Sequence, residues 1–149
     1  MESRMKNPVM ILDGTLDALL AVSKSCAQTG IGEEVLELVN LRASQINGCA
    51  VCADMHAKGL KKMGTTDERL WTVATWREAP YFTDAERAAL HLAEEMTRLA
   101  DAGDVTDAVW AEAKAHYDER QLAALVMNIS MINLWNRLNA TTRQIPGAW

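Results

Sequence analysis

Apolar residues recur at three- and four-residue intervals along most of the chain, and strand-like alternation of β-branched and polar residues is absent. The pattern predicts an all-α protein. A first helix is expected from about Asp13 to Ser25, ended by Thr29-Gly30-Ile31-Gly32. A second covers Glu33 to about Ile46 and opens on two acids, at the end where the helix dipole favours negative charge. Asn47-Gly48 reads as a turn. A third helix starts around Cys49 and stops near Gly64, after Lys58, Lys61 and Lys62; late cations and a glycine just past the end are stop signals. Thr65-Thr66-Asp67-Glu68 fits a capping box that opens a fourth helix through Trp76. Glu78 to Phe82 reads as a loop, and a second capping box, Thr83 to Glu86, starts a helix to about Ala100. Beyond a loop at Asp101–Gly103, helices are expected over Thr106–His116 and from Gln121 to about Asn139.

With 149 residues, 49% of them hydrophobic, the chain is expected to form a single domain over 1–149 with a core that needs no staples. Fifteen basic and 20 acidic residues leave a net charge of -5, with no Lys/Arg run long enough to form a basic stripe. That balance excludes nucleic acid as a sequence-independent partner, because such binding needs clustered cations to displace counterions. The four-residue apolar stretch Val9–Leu12 is too short for a secretory signal. The longest apolar run near the C-terminus, Leu122 to Met127, is broken by Asn128, Ser130 and Asn133, so no membrane span is expected. The expected location is cytoplasmic, where cysteines stay reduced unless they do chemistry. Three cysteines, two of them close together, therefore carry weight.

The informative segment is Ile46-Asn-Gly-Cys49-Ala-Val-Cys52-Ala-Asp-Met-His56. On a helix, positions 49, 52 and 56 fall within about 60° of one another, so one face carries both thiols and the imidazole. Cysteines three apart can approach closely enough for a disulfide. Near a helix start, free N–H groups and the dipole stabilise a thiolate, and His56, one turn below Cys52, can accept its proton. These are the parts of a dithiol redox site, although buried cysteines also serve as small hydrophobes. A closed zinc site would need a fourth ligand. A c-type haem is excluded because Ala53, not His, follows Cys52. The residues alone leave open which thiol attacks, since Cys49 lies nearer the helix end.

Elsewhere the readings are structural. Cys26 stands alone and is expected to be a buried thiol; His91 is expected to pack or cap, and His116 to suit the end of its helix. The five Trp and eight Met residues sit at helical spacing and read as core or subunit interface. Glu37, mid-helix and four residues after Glu33, reads by itself as a solvated acid.

Glu37, eleven intervening residues and then Cys49-x-x-Cys52-x-x-x-His56 closely resembles the core motif of the AhpD-like alkylhydroperoxidases, in the carboxymuconolactone decarboxylase superfamily. Ala57–Gly64 and the Trp76–Phe82 loop also look typical of shorter members. The resemblance extends over about Gly30 to Asn139 and is most specific over 37–82. It implies an all-α AhpD-like fold of about six to seven helices, homo-oligomers and a proton relay. Carried over, Cys52 attacks a hydroperoxide, Cys49 resolves, His56 helps deprotonate Cys52, and Glu37 holds or relays the proton. Where some members carry a second His between the cysteines, this chain has Val51.

The implied function is a thiol-dependent peroxidase reducing alkyl hydroperoxides through a dithiol/disulfide cycle. It uses no metal, flavin or haem, and an external dithiol or a thioredoxin-like or lipoyl-type reductant restores the pair. Competing readings are a general disulfide reductase or redox sensor, a lactone decarboxylase of the sister branch, and a non-enzymatic oligomeric module. The segment Leu122–Trp135 is apolar on nearly all sides of a helix and must be covered. With the family's ring assemblies, that predicts a homo-oligomer, a hexamer first and a trimer next.

Overall fold

The computed structural model describes residues 2–147 and, among these, holds helices and no strand. A short 3₁₀ turn at Pro8–Met10 precedes α1 (Thr15–Ala27), α2 (Glu33–Ile46), α3 (Ala50–Lys62) and α4 (Asp67–Thr72). A second 3₁₀ turn, Val73–Thr75, leads to α5 (Asp84–Thr97), α6 (Leu99–Ala102), α7 (Asp107–His116) and α8 (Glu119–Thr142). The eight α-helices exceed the expected six or seven because Arg98 leaves helical geometry and splits the one-turn α6 from α5.

The element pattern is that of the sequence, with displaced ends. Asp118 and Gln121 form a reciprocal capping box that starts α8 two residues before Gln121, and the helix runs on to Thr142. The capping box expected at Thr65 does not form. The Thr65 hydroxyl donates instead to Glu34 Oε1 at 2.8 Å, so Thr66 opens α4 without a side-chain cap. The helix expected to reach Trp76 stops at Thr72 and tightens into the 3₁₀ turn, which buries Val73 completely and Trp76 nearly so. The box at Thr83–Glu86 forms with both of its reciprocal bonds.

Helix α2 is the hub. It buries Leu36, Leu38, Val39, Asn40, Leu41, Ala43 and Ser44, more than one face of a helix, because α3, α5 and α8 all pack on it. Val39, Leu92, Leu125 and Ile129 join α2, α5 and α8 in one apolar cluster. Leu38, Leu60, Val73, Trp76 and Leu90 form a second on the side of α3 and the 3₁₀ turn. The third holds Ala43, Cys49, Val51, Cys52 and Ile132, so the two thiols lie in a core layer of their own between α2, α3 and α8. Helix α8 is long enough, about 36 Å at 1.5 Å per residue, to cross that layer and the first cluster. One row of it, including Met127 and Leu134, stays open to solvent. Helix α1 is only lightly attached: Cys26 is its one buried residue.

Buried Glu94 ties α5 to its neighbours. Its carboxylate accepts from Arg42 of α2 and from Arg77 at 2.6 Å each and from the Trp76 indole at 3.0 Å, with Arg98 at 3.4 Å. Burial alone would raise its pKa, but the bonds from Arg77, Arg42 and Trp76 outweigh that and hold it at about 2. A carboxylate depressed below its ordinary value stabilises the fold above that value and loses the contribution as it protonates. Stability is therefore expected to fall between about pH 4.5 and about pH 2 as this group titrates. In urea titrations across that range, Glu94→Gln should flatten the acid limb. Glu94→Ala, which leaves three cations without their anion, should cost about 3–5 kcal/mol at neutral pH.

Candidate active site

The turn before α3 fixes where the motif begins. Gly48 takes φ +65°, a left-handed value that a side chain would strain. Asn47 beside it donates its amide to Asn133 Oδ1 at 3.0 Å and Asn136 Oδ1 at 2.8 Å, clasping the turn to α8. Cys49 is then the N-cap, and its sulfur accepts the backbone N–H of Cys52 at 3.4 Å. The helix-start N–H therefore serves Cys49, and Cys52 draws its stabilisation from side chains.

Those side chains make Cys52 the acidic member of the pair. Its sulfur is fully buried, which on its own would disfavour a thiolate. Against this, Asn139 Nδ2 of α8 donates to it at 3.2 Å, the neighbouring Cys49 and Asn136 favour its thiolate, and a proton on His56 would favour it further. The Cys49 bond is the largest influence, and the balance brings Cys52 down to about 6. Cys49, as donor to Cys52 and buried too, is pushed well above the ordinary thiol range. One thiolate at a time is the state this geometry favours, and it resides on Cys52. Both cysteines are reduced in this structure.

Seven residues beyond Cys49, His56 presents Nδ1 to Glu37 Oε2 at 2.8 Å. A carboxylate acceptor fixes the tautomer with the proton on Nδ1, leaving Nε2 free to take or give a proton. Nε2 is buried and has no hydrogen-bond partner among the described residues. Gly59 leaves room for the Glu37 carboxylate beside His56: a Cβ there would sit 2.9 Å from Glu37 Oε2, and the carboxylate would have to shift. Cys52, His56 and Glu37 together border a cavity of about 1070 Å³ roofed by the N-terminal segment and α1. Leu16, Leu20, Leu36, Met131 and Trp135 make much of its wall apolar. Glu37 and His56 also border a second hollow of about 470 Å³ on the side of Lys58 and Lys62.

The four residues singled out in the sequence form two bonded pairs, Cys49 with Cys52 and His56 with Glu37; Cys52, His56 and Glu37 line one cavity, and among the described residues no hydrogen bond joins His56 to Cys52. Cys26 lies in a different core cluster. His91 stacks obliquely against Trp76 and bonds Glu112 at 3.0 Å, and His116 ends α7. Among the described residues, no group of three or more His, Cys, Asp or Glu is placed to hold a metal ion. The sequence reading missed Asn136, Asn139 and Gly59. Buried asparagines at helical spacing on an otherwise apolar α8 were the available signal for the first two; the third depends on a contact between helices that no local pattern encodes.

Gly59→Ala tests the relay geometry. The added methyl must displace the Glu37 carboxylate, while the gain in helix propensity, about 0.5–1 kcal/mol, offsets the local crowding. The expected outcome is near-unchanged thermal unfolding, with loss of the hydrogen-bonded His56 Nδ1 proton signal in NMR spectra.

The arrangement has counterparts among known proteins. The model of the carboxymuconolactone decarboxylase family matches residues 13–95. The uncharacterised protein YdfG of Bacillus subtilis (strain 168) is 38% identical over 121 residues, covering 81% of this chain and 82% of that protein. A crystal structure from Agrobacterium tumefaciens, of a protein of unknown function assigned to antioxidant defence as AhpD, superposes with a TM-score of 0.90 at 29% identity, covering 99% of this chain and 100% of that one. A peroxidase-related protein with an alkylhydroperoxidase AhpD core, from Ralstonia eutropha JMP134, shares the fold at a TM-score of 0.78 and 18% identity, over 94% of this chain and 74% of that one. The chain belongs to the carboxymuconolactone decarboxylase family, in its AhpD-like branch.

Proposed function

We propose that the protein is a thiol peroxidase that reduces organic hydroperoxides through Cys52 and Cys49. The observation that carries this reading is the buried Cys52 sulfur, favoured as thiolate by Cys49 and Asn139 and set at the edge of a large apolar cavity beside His56. The Cys52 thiolate attacks the terminal peroxide oxygen and the O–O bond breaks. Cys52 becomes a sulfenic acid and the alkoxide leaves, taking back from His56 Nε2 the proton that the Cys52 thiol gave it on ionising, which yields the alcohol. The Cys49 thiolate then displaces hydroxide from the Cys52 sulfenic acid; a disulfide forms, and with the Cys49 proton the hydroxide leaves as water. An external dithiol exchanges with the disulfide, returning both cysteines to thiols and itself becoming oxidised. Glu37 holds the His56 imidazolium while it carries a proton, and the second hollow beside the pair supports exchange of that proton with solvent. The cavity's size and apolar wall favour a hydroperoxide with a bulky apolar tail over hydrogen peroxide. A cytoplasmic dithiol, thioredoxin-like or lipoyl-type, is the reductant this cycle requires.

Steady-state consumption of cumene hydroperoxide with and without a dithiol donor tests the reading, and donor-dependent turnover is the expected result. Cys52→Ser should abolish the first oxidation. Cys49→Ser should permit one oxidation and accumulate a trappable sulfenic acid. His56→Ala should lower turnover by roughly 10²- to 10⁴-fold. Oxidised protein should carry a Cys49–Cys52 bridge with Cys26 free on peptide mapping. Alkylation of Cys52 should rise with pH through a midpoint near about 6, because only the thiolate reacts and it forms above that value. No peroxide consumption despite that alkylation profile would assign the site to disulfide exchange.

The active species is a homo-oligomer in this reading, with a hexamer first and a trimer next. The open row on α8 and exposed Met10, Ile11, Leu12 and Leu20 beside the cavity support contact between copies near the site. Light scattering across a concentration series should give a multiple of the chain mass at every concentration, and a stable active monomer would overturn this.

A further inference from the structure

The N-terminal segment is stitched to the C-terminal end of α8. Arg4 N–H donates to Thr142 O at 2.8 Å, the Arg4 guanidinium to Thr141 O at 2.9 Å, and Gln144 Nε2 to Met5 O at 2.9 Å. Between these stitches and the 3₁₀ turn lies Asn7. Its Oδ1 accepts the backbone N–H of Val9 at 3.2 Å, and its Nδ2 donates to Asn139 Oδ1 at 2.8 Å. Asn139 Nδ2 in turn donates to the Cys52 sulfur at 3.2 Å.

The direction of this chain is set at one end by a group that cannot reverse. A backbone N–H only donates, so Asn7 must face Val9 with its oxygen and face Asn139 with its NH₂. Asn139 must then meet Asn7 with its own oxygen, which leaves its NH₂ towards the sulfur. We propose that Asn7 is a positioning residue for Cys52: by fixing which way the Asn139 amide faces, the N-terminal segment determines that the sulfur receives a hydrogen bond instead of confronting a carbonyl oxygen. Asn139 touches the reacting atom, and Asn7, seven residues from the start of the chain, acts through it. The inference rests on the reading of Cys52 as the working thiolate and is independent of which oxidant it meets.

The ionisable groups that adjoin the sulfur or line the cavity it borders are Cys49 at the cap of α3, His56 on α3, Glu33 and Glu37 on α2, Lys6 in the N-terminal segment and Lys24 on α1. Helix α8 contributes amides to the cavity wall and no charge. Reversing the Asn139 amide therefore changes the field at the sulfur while every one of those groups keeps its place.

Asn7→Asp performs the reversal. An aspartate at 7 still accepts from Val9 N–H and keeps the cap, but towards Asn139 it offers only an oxygen. Asn139 must answer with its NH₂ and turn its oxygen to Cys52. The pH midpoint for alkylation of Cys52 by iodoacetamide should move upward by about one unit, with circular dichroism and thermal unfolding near those of the wild type. Asn139→Ala should move it upward as well, and adding Asn7→Asp to Asn139→Ala should produce no further shift, because Asn7 acts only through the amide. An unchanged midpoint in a folded Asn7→Asp protein would overturn the proposal. So would an equal shift that persists in the Asn139→Ala background, which would make it a through-space effect of the new carboxylate. Should Asn139→Ala fail to fold, Asn139→Ser supplies the second background. The readout contains no peroxide, so a protein that shows the shifts yet consumes no hydroperoxide would sink the peroxidase reading and leave this one standing.

Discussion

Cys52 has no contact with bulk water, and that single constraint organises the rest of the site. A thiolate in an apolar layer is unfavourable unless the protein supplies the hydrogen bonds that water would have made. Three elements take part: α8 donates a hydrogen bond through Asn139 with Asn136 beside it, the start of α3 brings Cys49 against the sulfur and His56 near it, and α2 holds His56 through Glu37. Helices α2, α3 and α8 must therefore hold their relative positions closely. The asparagine clasp at Asn47 is one means, binding the α2–α3 turn to α8 at two points. Asn128 bonded to Asn40 Oδ1 at 2.8 Å and Asn136 bonded to Ser44 Oγ at 3.1 Å are others, each pairing α8 with α2 inside the core.

Such buried amides cost stability unless every donor and acceptor is matched. What they add is directionality, which apolar packing lacks: a leucine layer tolerates a rotation of one helix by some degrees, whereas a run of amide pairs does not. This accounts for the amide content of α8, whose buried face carries Asn128, Asn133, Asn136 and Asn139 among Leu122, Leu125, Ile129 and Ile132. The apolar residues hold the helix down, and the amides fix its rotation and sliding against α2 and α3. The Glu94 cluster does comparable work on the opposite side of α2, using charge where the site uses neutral amides. Keeping the strongest charge cluster on that side leaves the environment of Cys52 to be set by dipoles and one imidazole–carboxylate pair.

The sequence made the helices legible because each carries its own punctuation: Glu33-Glu34, Thr83 to Glu86, and Lys61-Lys62 before Gly64 all mark ends found in the structure. It misplaced the start of α4 because a distant residue, Glu34, claimed the Thr65 hydroxyl, and the start of α8 because the local box of Asp118 and Gln121 was passed over. The same division holds at the site. Cys49, Cys52 and His56 lie on one helix, so spacing alone aligned them. Glu37 looked like a solvated acid until the family motif placed it opposite His56, for nothing in its own helix reveals that Gly59 leaves room for its carboxylate. The choice between the two thiols was not readable from the residues alone and came only from the family resemblance. A rule based on helix ends favours Cys49, yet as N-cap Cys49 spends its lone pair on the N–H of Cys52 and its proton on the Cys52 sulfur.

That exchange between the two cysteines also orders the chemistry they are suited to. While Cys49 donates to Cys52 it is held as a thiol, so only one nucleophile is ready when an oxidant enters. Once Cys52 loses its negative charge by oxidation, the interaction that kept the proton on Cys49 disappears, and the obstacle to its ionisation weakens. In the proposed cycle the resolving thiol is thus held back by the same pairing that favours a thiolate at Cys52, and oxidation of Cys52 releases it. Two cysteines one helical turn apart, with the first as cap and the second on the free face, suffice for this sequence of events, and the surrounding amides need only preserve their geometry.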